Sequence, residues 1–290
     1  MKQVLLAGAT GHLGRHLLRA LKQQGFIVTV LARSEQKASA LSPAPDRLLF
    51  ADATHPDSLS GCCQGIDVVA SAVGKSISLK DWSKTTFHEV DYQANYNLLQ
   101  EAKAAGIQQF IYISAFSAEQ HPELAYFKAH ADFSEALKQS GISYTIVQPT
   151  ALFSVFDEMT AMARKGMLGV IDSGAALTNP VFEGDVANVA VESIGGPSEV
   201  IPIGGKRIYS RLELAKLVGR AAGYEGRIIH APKTAIKLLL PLVKLFSPSL
   251  CHTLAFLTKV SVENCVAPQL GEFTLEDYLK LPEKASKASA

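Results

Sequence analysis

Short apolar runs alternate with stretches of helical spacing along the first half of the chain. After an opening run at residues 4–7, runs rich in β-branched residues predict strands at residues 26–31, 47–50, 67–70, 109–113 and 144–147. Between them, apolar positions with helical periodicity predict helices at residues 13–24, 36–40, 56–62, 86–105 and 125–140. Because this alternation is typical of parallel strands joined by helices, the pattern predicts an α/β fold with a doubly wound parallel sheet.

A glycine-rich turn connects the first predicted strand to the first predicted helix. Its residues are Gly8-Ala-Thr-Gly11-His-Leu-Gly14, with the spacing G-x-x-G-x-x-G. A buried strand that turns tightly into a helix presents free backbone amides and the positive end of the helix dipole to a pyrophosphate. We therefore expect a dinucleotide site of the Rossmann type lined by Gly8, Thr10, Gly11, His12, Leu13 and Gly14. The alternative is a purely structural turn in a domain that binds no nucleotide.

The end of the second predicted strand bears on which dinucleotide is bound. NAD-selective sites place a carboxylate there to bind the ribose 2′-hydroxyl, but this strand ends Val30-Leu-Ala-Arg33-Ser34. Arg33 can bind a 2′-phosphate through charge-assisted hydrogen bonds, with Arg15 and Ser34 as helpers, so NADP(H) is favoured over NAD(H). Alternatively, Arg33 is a solvated residue that opens a helix. Asp52, followed by Ala53, is placed to meet the adenine edge or else caps a turn.

The second half of the chain lacks the regular alternation. After Pro149 the apolar pieces are shorter and glycines separate them. We predict a cofactor-binding domain over residues 1–150 and a small C-terminal substrate lobe over residues 151–283, with segments that return to the first domain. Residues 284–290 are small and polar and are expected to form a flexible tail.

The amino-acid composition limits the kinds of partner that the protein is expected to bind. The chain has 290 residues with 28 basic and 27 acidic side chains, and this balance gives no reason to expect nucleic acid. The spacing of the four cysteines matches neither a metal knuckle nor a redox motif, so no metal is expected and the thiols are read as reduced. The first apolar run belongs to a strand and lacks the features of a secretory signal, so we expect a cytoplasmic protein.

One C-terminal segment is unusually apolar. Residues 232–257 are rich in leucine, but Lys237, Pro241, Lys244 and Pro248 interrupt the segment before it reaches the length that spans a bilayer. Three interpretations are open: packing against the lobe, a lid over a large apolar substrate, or a basic amphipathic surface that docks on a membrane or a protein partner.

Several motifs together resemble the atypical short-chain dehydrogenase/reductases, in the branch of NAD(P)H-binding, NmrA-like and divinyl-chlorophyllide 8-vinyl reductase-like proteins. Besides the glycine turn, the motifs lie at residues 51–54, 71–74, 90–99, 112–115 and 141–150, with weaker likeness at 181–187, 202–205 and 273–278. The resemblance implies NAD(P)H binding and cofactor contacts from Ala72, Val73, Lys128 and Pro149. The resemblance implies the substrate less firmly than it implies the cofactor.

The chain departs from this family at the proton donor. Short-chain dehydrogenases use Tyr-x-x-x-Lys on a helix, because the lysine lowers the pKa of the tyrosine. Here Leu124 stands four residues before Lys128. The remaining candidates for catalysis are Lys128, which matches the family lysine, Ser114, which matches the family serine or else caps a turn, and Tyr126. Two residues from Lys128, Tyr126 is expected on the opposite helix face.

Three functions follow from these features. The first is an NADP(H)-dependent reductase of an apolar or conjugated small molecule. The second is a catalytically silent NADP(H)-binding protein that senses redox state or helps to assemble a complex, an interpretation that Leu124 keeps open. The third, a nucleotide-sugar epimerase or dehydratase, is disfavoured by the missing tyrosine. His12 and His130 are further acid or base candidates, although neither has an evident partner in the sequence.

Overall fold

The computed structural model describes residues 1–78 and 85–281. In chain order its strands are β1 (Gln3–Ala7), β2 (Ile27–Ala32), β3 (Arg47–Phe50), β4 (Val68–Ser71), β5 (Gln109–Ile113), β6 (Ser143–Pro149), β7 (Gly169–Ile171), β8 (Leu177–Thr178), β9 (Glu199–Ile203), β10 (Tyr209–Ser210) and β11 (Ile229–Ala231). Its α-helices are α1 (His12–Gln23), α2 (Glu35–Ser39), α3 (Ala94–Ala104), α4 (Ala125–Lys138), α5 (Val155–Arg164), α6 (Glu183–Glu192), α7 (Arg211–Ala222), α8 (Lys233–Phe246), α9 (Pro248–Val262) and α10 (Leu275–Tyr278).

A seven-stranded parallel sheet forms the centre, in the order β3-β2-β1-β4-β5-β6-β9. The strand order reverses direction between β1 and β4, which opens a crevice at the carboxyl ends of these two strands. The predicted doubly wound Rossmann sheet is confirmed. The glycine turn after β1 lies at this reversal, where ligands of such sheets bind.

The sheet is covered on both faces because successive side chains of its central strands point to opposite sides. Val4 and Leu6 of β1 lie in one apolar core with helices α1 and α6, while Leu5 and Ala7 lie in another with α3 and α4. All four side chains are almost fully buried. A strand that is buried on both faces reads as a continuous apolar run, which is what the sequence shows at residues 4–7.

Three local elements differ from the sequence-based expectation. The predicted helix at 56–62 is a 3-10 helix over Pro56–Leu59. The predicted helix at 86–105 begins as a π-helix over His88–Gln93 and continues as α3. Strand β9 was not among the predicted strands, yet it completes the sheet beside β6.

The C-terminal half builds a separate apolar core around Phe153, Phe156, Leu214 and Val218, supplied mainly by α5 and α7. Helix α6 packs instead on the sheet, and its first turn contains Asp185, which accepts hydrogen bonds from the backbone N–H groups of the segment at residues 272–273. Asp185 therefore fastens the C-terminal segment to the start of α6. The division at residue 150 stays a proposal, and the tail at 284–290 lies outside the described residues.

Candidate functional site

The turn after β1 depends on glycine at two positions. Gly8 has φ +83°, and a Cβ on it would lie 2.5 Å from the carbonyl oxygen of Ala72. A Cβ on Gly14 would overlap the carbonyl oxygen of Gly8. These two glycines therefore allow the turn to pass close to β4 and allow α1 to start directly on the sheet.

The third glycine leaves room for a ligand. Gly11 is the N-cap of α1, no side chain in the described part of the chain caps the helix, and its first turn has no acidic residue. A Cβ on Gly11 would meet only the carbonyl oxygen of Gly8, at 3.5 Å. His12 is exposed, whereas Leu13 is buried in the core. Because the helix amides are uncapped and face open space, the turn fits a pyrophosphate group.

Arg33 and Asp52 lie beside each other at the ends of β2 and β3. The Arg33 side chain is 69% exposed, and its Nη1 is 3.9 Å from Oδ2 of Asp52. Burial raises the pKa of Asp52, but hydrogen bonds from the backbone and hydroxyl of Thr54 and the charge of Arg33 outweigh this and lower it. One distant carboxylate leaves most of the guanidinium free for an anionic group.

The other predicted cofactor contacts have fixed backbones. The carbonyl oxygen of Ala53 accepts a hydrogen bond from Nδ2 of Asn97 at 2.9 Å. The carbonyl oxygen of Val73 accepts one from Nδ2 of Asn95 at 3.1 Å, and the N–H of Ala72 donates to β1. The edge that would border a nucleotide is thus held from beneath by two buried asparagines.

A buried polar network lies next to this edge. Asp91, in the π-helix, accepts hydrogen bonds from the backbone N–H of Lys75 at 3.2 and 3.3 Å. Nε2 of His130 lies 3.4 Å from Asp91, and its Nδ1 lies 2.6 Å from the Tyr112 hydroxyl. All three network side chains are nearly fully buried. Burial raises the pKa of Asp91 to about 8 and lowers the pKa of His130 to about 3.

These two shifts make the network neutral near pH 7, because a buried carboxyl and a buried imidazole both disfavour their charged forms. The network holds Lys75, and therefore the backbone that follows β4, against α4. The sequence analysis did not predict that Asp91, His130 and Tyr112 form one network. The only signal was that Asp91 and Asn95 fall four residues apart in a helix that packs on the sheet, so that both face inward.

Lys128 and Leu124 differ in their structural setting from the usual Tyr-x-x-x-Lys pair. Leu124 is the N-cap of α4, with extended backbone at φ −100° and ψ 120°, so it does not stand on the helix. Lys128 is exposed, and its Nζ is 2.7 Å from a carboxylate oxygen of Asp132. The lysine charge is therefore already paired, at a surface where such pairs contribute little to stability.

Ser114 and Pro149 lie at the carboxyl ends of β5 and β6. The N–H of Ser114 donates to β6, and its hydroxyl is 3.3 Å from the hydroxyl of Ser134 on α4. The carbonyl oxygen of Pro149 accepts a hydrogen bond from the N–H of Phe116 at 3.0 Å. Each of these contacts joins neighbouring elements at the sheet edge where a substrate would approach.

Tyr126 points into an aromatic cluster. Its ring centroid lies 4.5 Å from that of Phe256 on α9 and 4.6 Å from that of His130. Burial, followed by the nearby Asp91, raises the pKa of the Tyr126 phenol. No hydrogen bond joins any two of the catalytic candidates Ser114, Tyr126 and Lys128, all of which lie in the described part of the chain.

The lobe contributes a partly buried cation, Arg211, that sequence reasoning also missed. Nη2 of Arg211 donates to the carbonyl oxygen of Val260 at 2.6 Å, which ties α9 to α7. Its Nε is buried and has no hydrogen-bond partner among the described residues. Desolvation lowers the pKa of Arg211. An arginine that follows a capping serine reads as an ordinary helix start, so the sequence carries no signal of its burial.

Residues 232–257 divide between two helices that behave differently. In α9, Cys251, Thr253 and Phe256 are buried, and Phe256 contacts α4. In α8 no residue is buried. Among the residues that the structure describes, no helix is long and apolar enough to cross a membrane, and no group of three metal-binding side chains occurs.

A family model described as NAD(P)H-binding matches residues 8–197. The chain is 26% identical to the photosystem II assembly factor Ycf39 of Synechocystis over 250 residues, which cover 84% of this chain and 75% of that protein. It is 29% identical to the chloroplastic divinyl chlorophyllide a 8-vinyl-reductase of Oryza sativa over 268 residues, which cover 84% of this chain and 65% of that protein.

Two solved structures have the same fold. The NADPH-dependent quinone oxidoreductase QOR2 of Escherichia coli, complexed with NADPH, has a TM-score of 0.74 and 18% identity, and the match covers 96% of this chain and 98% of that one. The triphenylmethane reductase of Citrobacter sp. has a TM-score of 0.74 and 19% identity, covering 96% of this chain and 100% of that one.

Proposed function

The chain belongs to the NAD(P)H-binding family, and from this membership we propose that it is an NADP(H)-dependent oxidoreductase that reduces an apolar or conjugated small molecule. The relatives confirm the resemblance to the atypical short-chain dehydrogenase/reductases. The observation that carries the proposal is the uncapped amino end of α1 beside Gly8, Gly11 and Gly14, which fits a dinucleotide pyrophosphate.

Preference for NADP(H) rests on Arg33. Its exposed guanidinium at the end of β2 has one carboxylate, 3.9 Å away, and can bind a 2′-phosphate bidentately. In the Arg33→Gln variant we expect the Kd for NADPH to rise about 10- to 100-fold, because one or two charge-assisted hydrogen bonds to the 2′-phosphate are lost. The Kd for NADH should change little. Arg19→Gln, an exposed arginine two turns along α1, is the control. Equal effects on both cofactors would contradict this assignment.

The surroundings of the sheet edge support an apolar substrate. Ala115 and Ala118 after β5, Phe127 on α4 and Phe256 on α9 form one apolar cluster there. When bound, a reduced nicotinamide supplies the hydride. The cluster would exclude water and hold a flat apolar substrate against the sheet edge, and α9 would contribute one wall.

The chain's own residues have narrower roles in this proposal. Lys128 would bind the nicotinamide ribose hydroxyls, and Asp132 would fix its position. Ser114 would donate a hydrogen bond to a substrate oxygen. Tyr126 keeps its proton because burial raises its pKa, so it would act through packing and hydrogen bonding rather than as a ready acid. Substrates whose reduced anion is stabilised by conjugation need the least protonation by the protein.

The test is an assay of NADPH oxidation with quinones, enones and aldehydes as acceptors. The reaction is monitored by the loss of NADPH absorbance. We expect turnover with a conjugated acceptor, and a higher KM with little change in kcat for Phe256→Ser. Met167→Ser, an exposed apolar residue of the lobe, is the control. NADPH binding without oxidation by any acceptor would contradict the reductase proposal.

A second candidate function is a catalytically silent NADP(H)-binding protein that senses redox state or assists assembly. It is favoured by Leu124, which stands at the extended N-cap of α4 where the family has its helical tyrosine. A relative at 26% identity is described as an assembly factor. Different partner affinities with NADPH and NADP⁺ would support sensing, and equal affinities would exclude it. For either function we propose a cytoplasmic location, supported by the four free thiols.

A further inference from the structure

Helix α8 exposes a continuous apolar face. Leu238, Leu245 and Phe246 are 81%, 77% and 79% exposed, and Leu242 between them is 56% exposed. The other three residues follow Leu238 by four, seven and eight positions, which places all four on one side of the 14-residue helix. Single exposed leucines are ordinary, but four large apolar side chains on one helix face mark a surface that binds something. We call these four residues the α8 face.

None of the residues that the structure describes covers this face. The opposite side of α8, with Ile236, Leu240 and Val243, is half-buried and lies against α9, where Sγ of Cys251 donates to the carbonyl oxygen of Leu240. Helix α9 in turn packs on α4 through Phe256. Helix α8 thus already has its packed side, and the α8 face is a second apolar side turned away from the protein.

The charges around the face indicate its occupant. Between Glu225 and Glu263 the sequence has no acidic residue and has Arg227, Lys233, Lys237, Lys244 and Lys259. Among the described residues, Lys237 and Lys244 have no ion-pair partner. Both lie about 100–120° around the helix axis from Leu238. From there their long stems can bring the ammonium groups toward a surface on which the leucines rest.

We propose that α8 docks the protein on an anionic lipid bilayer, with the α8 face inserted among the acyl chains and Lys237 and Lys244 on the lipid headgroups. The face carries only leucine and phenylalanine, without the tyrosine, tryptophan or hydrogen-bonding groups typical of a protein interface. Apolar insertion combined with basic charge is the usual pair of signals for stable binding at the membrane surface. This inference does not rest on the proposed reductase activity.

The experiment is co-sedimentation of the full chain with vesicles of phosphatidylcholine alone or mixed with phosphatidylglycerol. We expect binding to the mixed vesicles, weakened by salt. Leu238→Gln with Leu245→Gln should lower the partition coefficient at least about tenfold, since two leucines no longer leave water. Lys237→Gln with Lys244→Gln should remove most of the preference for anionic vesicles, about fivefold for each lysine.

Controls use exposed side chains elsewhere. Met167→Gln with Ile208→Gln removes two apolar side chains of the lobe, and Lys103→Gln with Lys138→Gln removes two lysines of α3 and α4. Both controls should bind vesicles like the unchanged protein. Far-UV circular dichroism of every variant shows that it is folded, and this control does not depend on the proposed function.

Three results would overturn the proposal. The unchanged protein could fail to bind anionic vesicles, or the leucine variant could bind them as well as the unchanged protein does. Alternatively, the leucine substitutions could convert a dimer into a monomer without changing vesicle binding. That last result would assign the α8 face to a second copy of the chain.

Discussion

The buried pair Asp91 and His130 gives a prediction about how stability depends on pH. In the fold the pKa of Asp91 is about 8, against 3.8 for an unperturbed group, and the pKa of His130 is about 3, against 6.5. For Asp91, whose pKa is raised, stability is fully present below pH 4 and is lost as the pH rises to 8. For His130, whose pKa is lowered, stability is present above pH 6.5 and is lost as the pH falls to 3.

The effects of Asp91 and His130 on stability have opposite signs and cancel over part of the pH range. Between about pH 4 and 6.5, folding removes one proton from His130 and adds one to Asp91, so the net proton uptake is zero. From pH 6.5 to 8 only Asp91 still changes. This interval is about 1.5 pH units, and at 1.36 kcal/mol per unit the protein loses about 2 kcal/mol of unfolding free energy there.

Asp91→Asn isolates this loss. Its amide oxygen can still accept from the Lys75 N–H and from His130, but it does not titrate. Urea unfolding at half-unit pH steps measures the difference in unfolding free energy between the variant and the unchanged protein. Between pH 6.5 and 8 this difference should shift by about 2 kcal/mol in favour of the variant, because only the unchanged protein loses stability there. Asp57→Asn, at an exposed aspartate, should follow the unchanged protein throughout.

A flat difference between Asp91→Asn and the unchanged protein from pH 6.5 to 8 would refute this reasoning. It would mean that Asp91 is already ionised in the fold at pH 6.5, and that Asp91 and His130 form a buried ion pair rather than a neutral pair.

Three further predictions concern single contacts. Gly8→Ala should lower the free energy of unfolding by at least about 2 kcal/mol and abolish NADPH binding, because φ is +83° and the new Cβ meets the backbone of Ala72; denaturation and NADPH titration measure both. Tyr112→Phe should cost about 1–3 kcal/mol, measured by denaturation, because Nδ1 of His130 loses its buried partner. Asp185→Ala removes the acceptor of two backbone N–H groups at residues 272–273, and limited proteolysis should cut there faster.

The fold was predictable where local pattern and long-range packing agree. The run at residues 4–7, the glycine turn and the amphipathic helix after it all require one arrangement, and the structure has it. The π-helix at residues 88–93 was not predictable in the same way. Its buried Asp91 bonds the backbone of Lys75, 16 residues away, and such a partner leaves no trace in the local spacing.

The site was predictable in its backbone and less so in its side chains. Glycine spacing and the predicted strand ends placed the turn after β1, Arg33 after β2 and Asp52 after β3, because these positions depend on neighbours in sequence, and their roles at the site stay predictions. The network of Asp91, His130 and Tyr112 joins a π-helix, a helix and a strand, so its members show no common pattern. The apolar segment at 232–257 likewise could not reveal which of its two helices is buried, because that depends on where α4 lies.

Strand β9 has a consequence for how the protein can be made or divided. The chain forms β6 by residue 149, but the strand that pairs with its free edge arrives only at residues 199–203. During synthesis, β6 remains an open edge until α5, β7, β8 and α6 have been added. A fragment that ends at residue 150 would leave the five residues of β6 that pair with β9 without a partner on that edge, and the loss of α6 would expose Val147, which favours edge-to-edge association. We therefore expect a fragment cut where the sequence pattern changes to associate through this edge, and a separable unit to extend at least through residue 203.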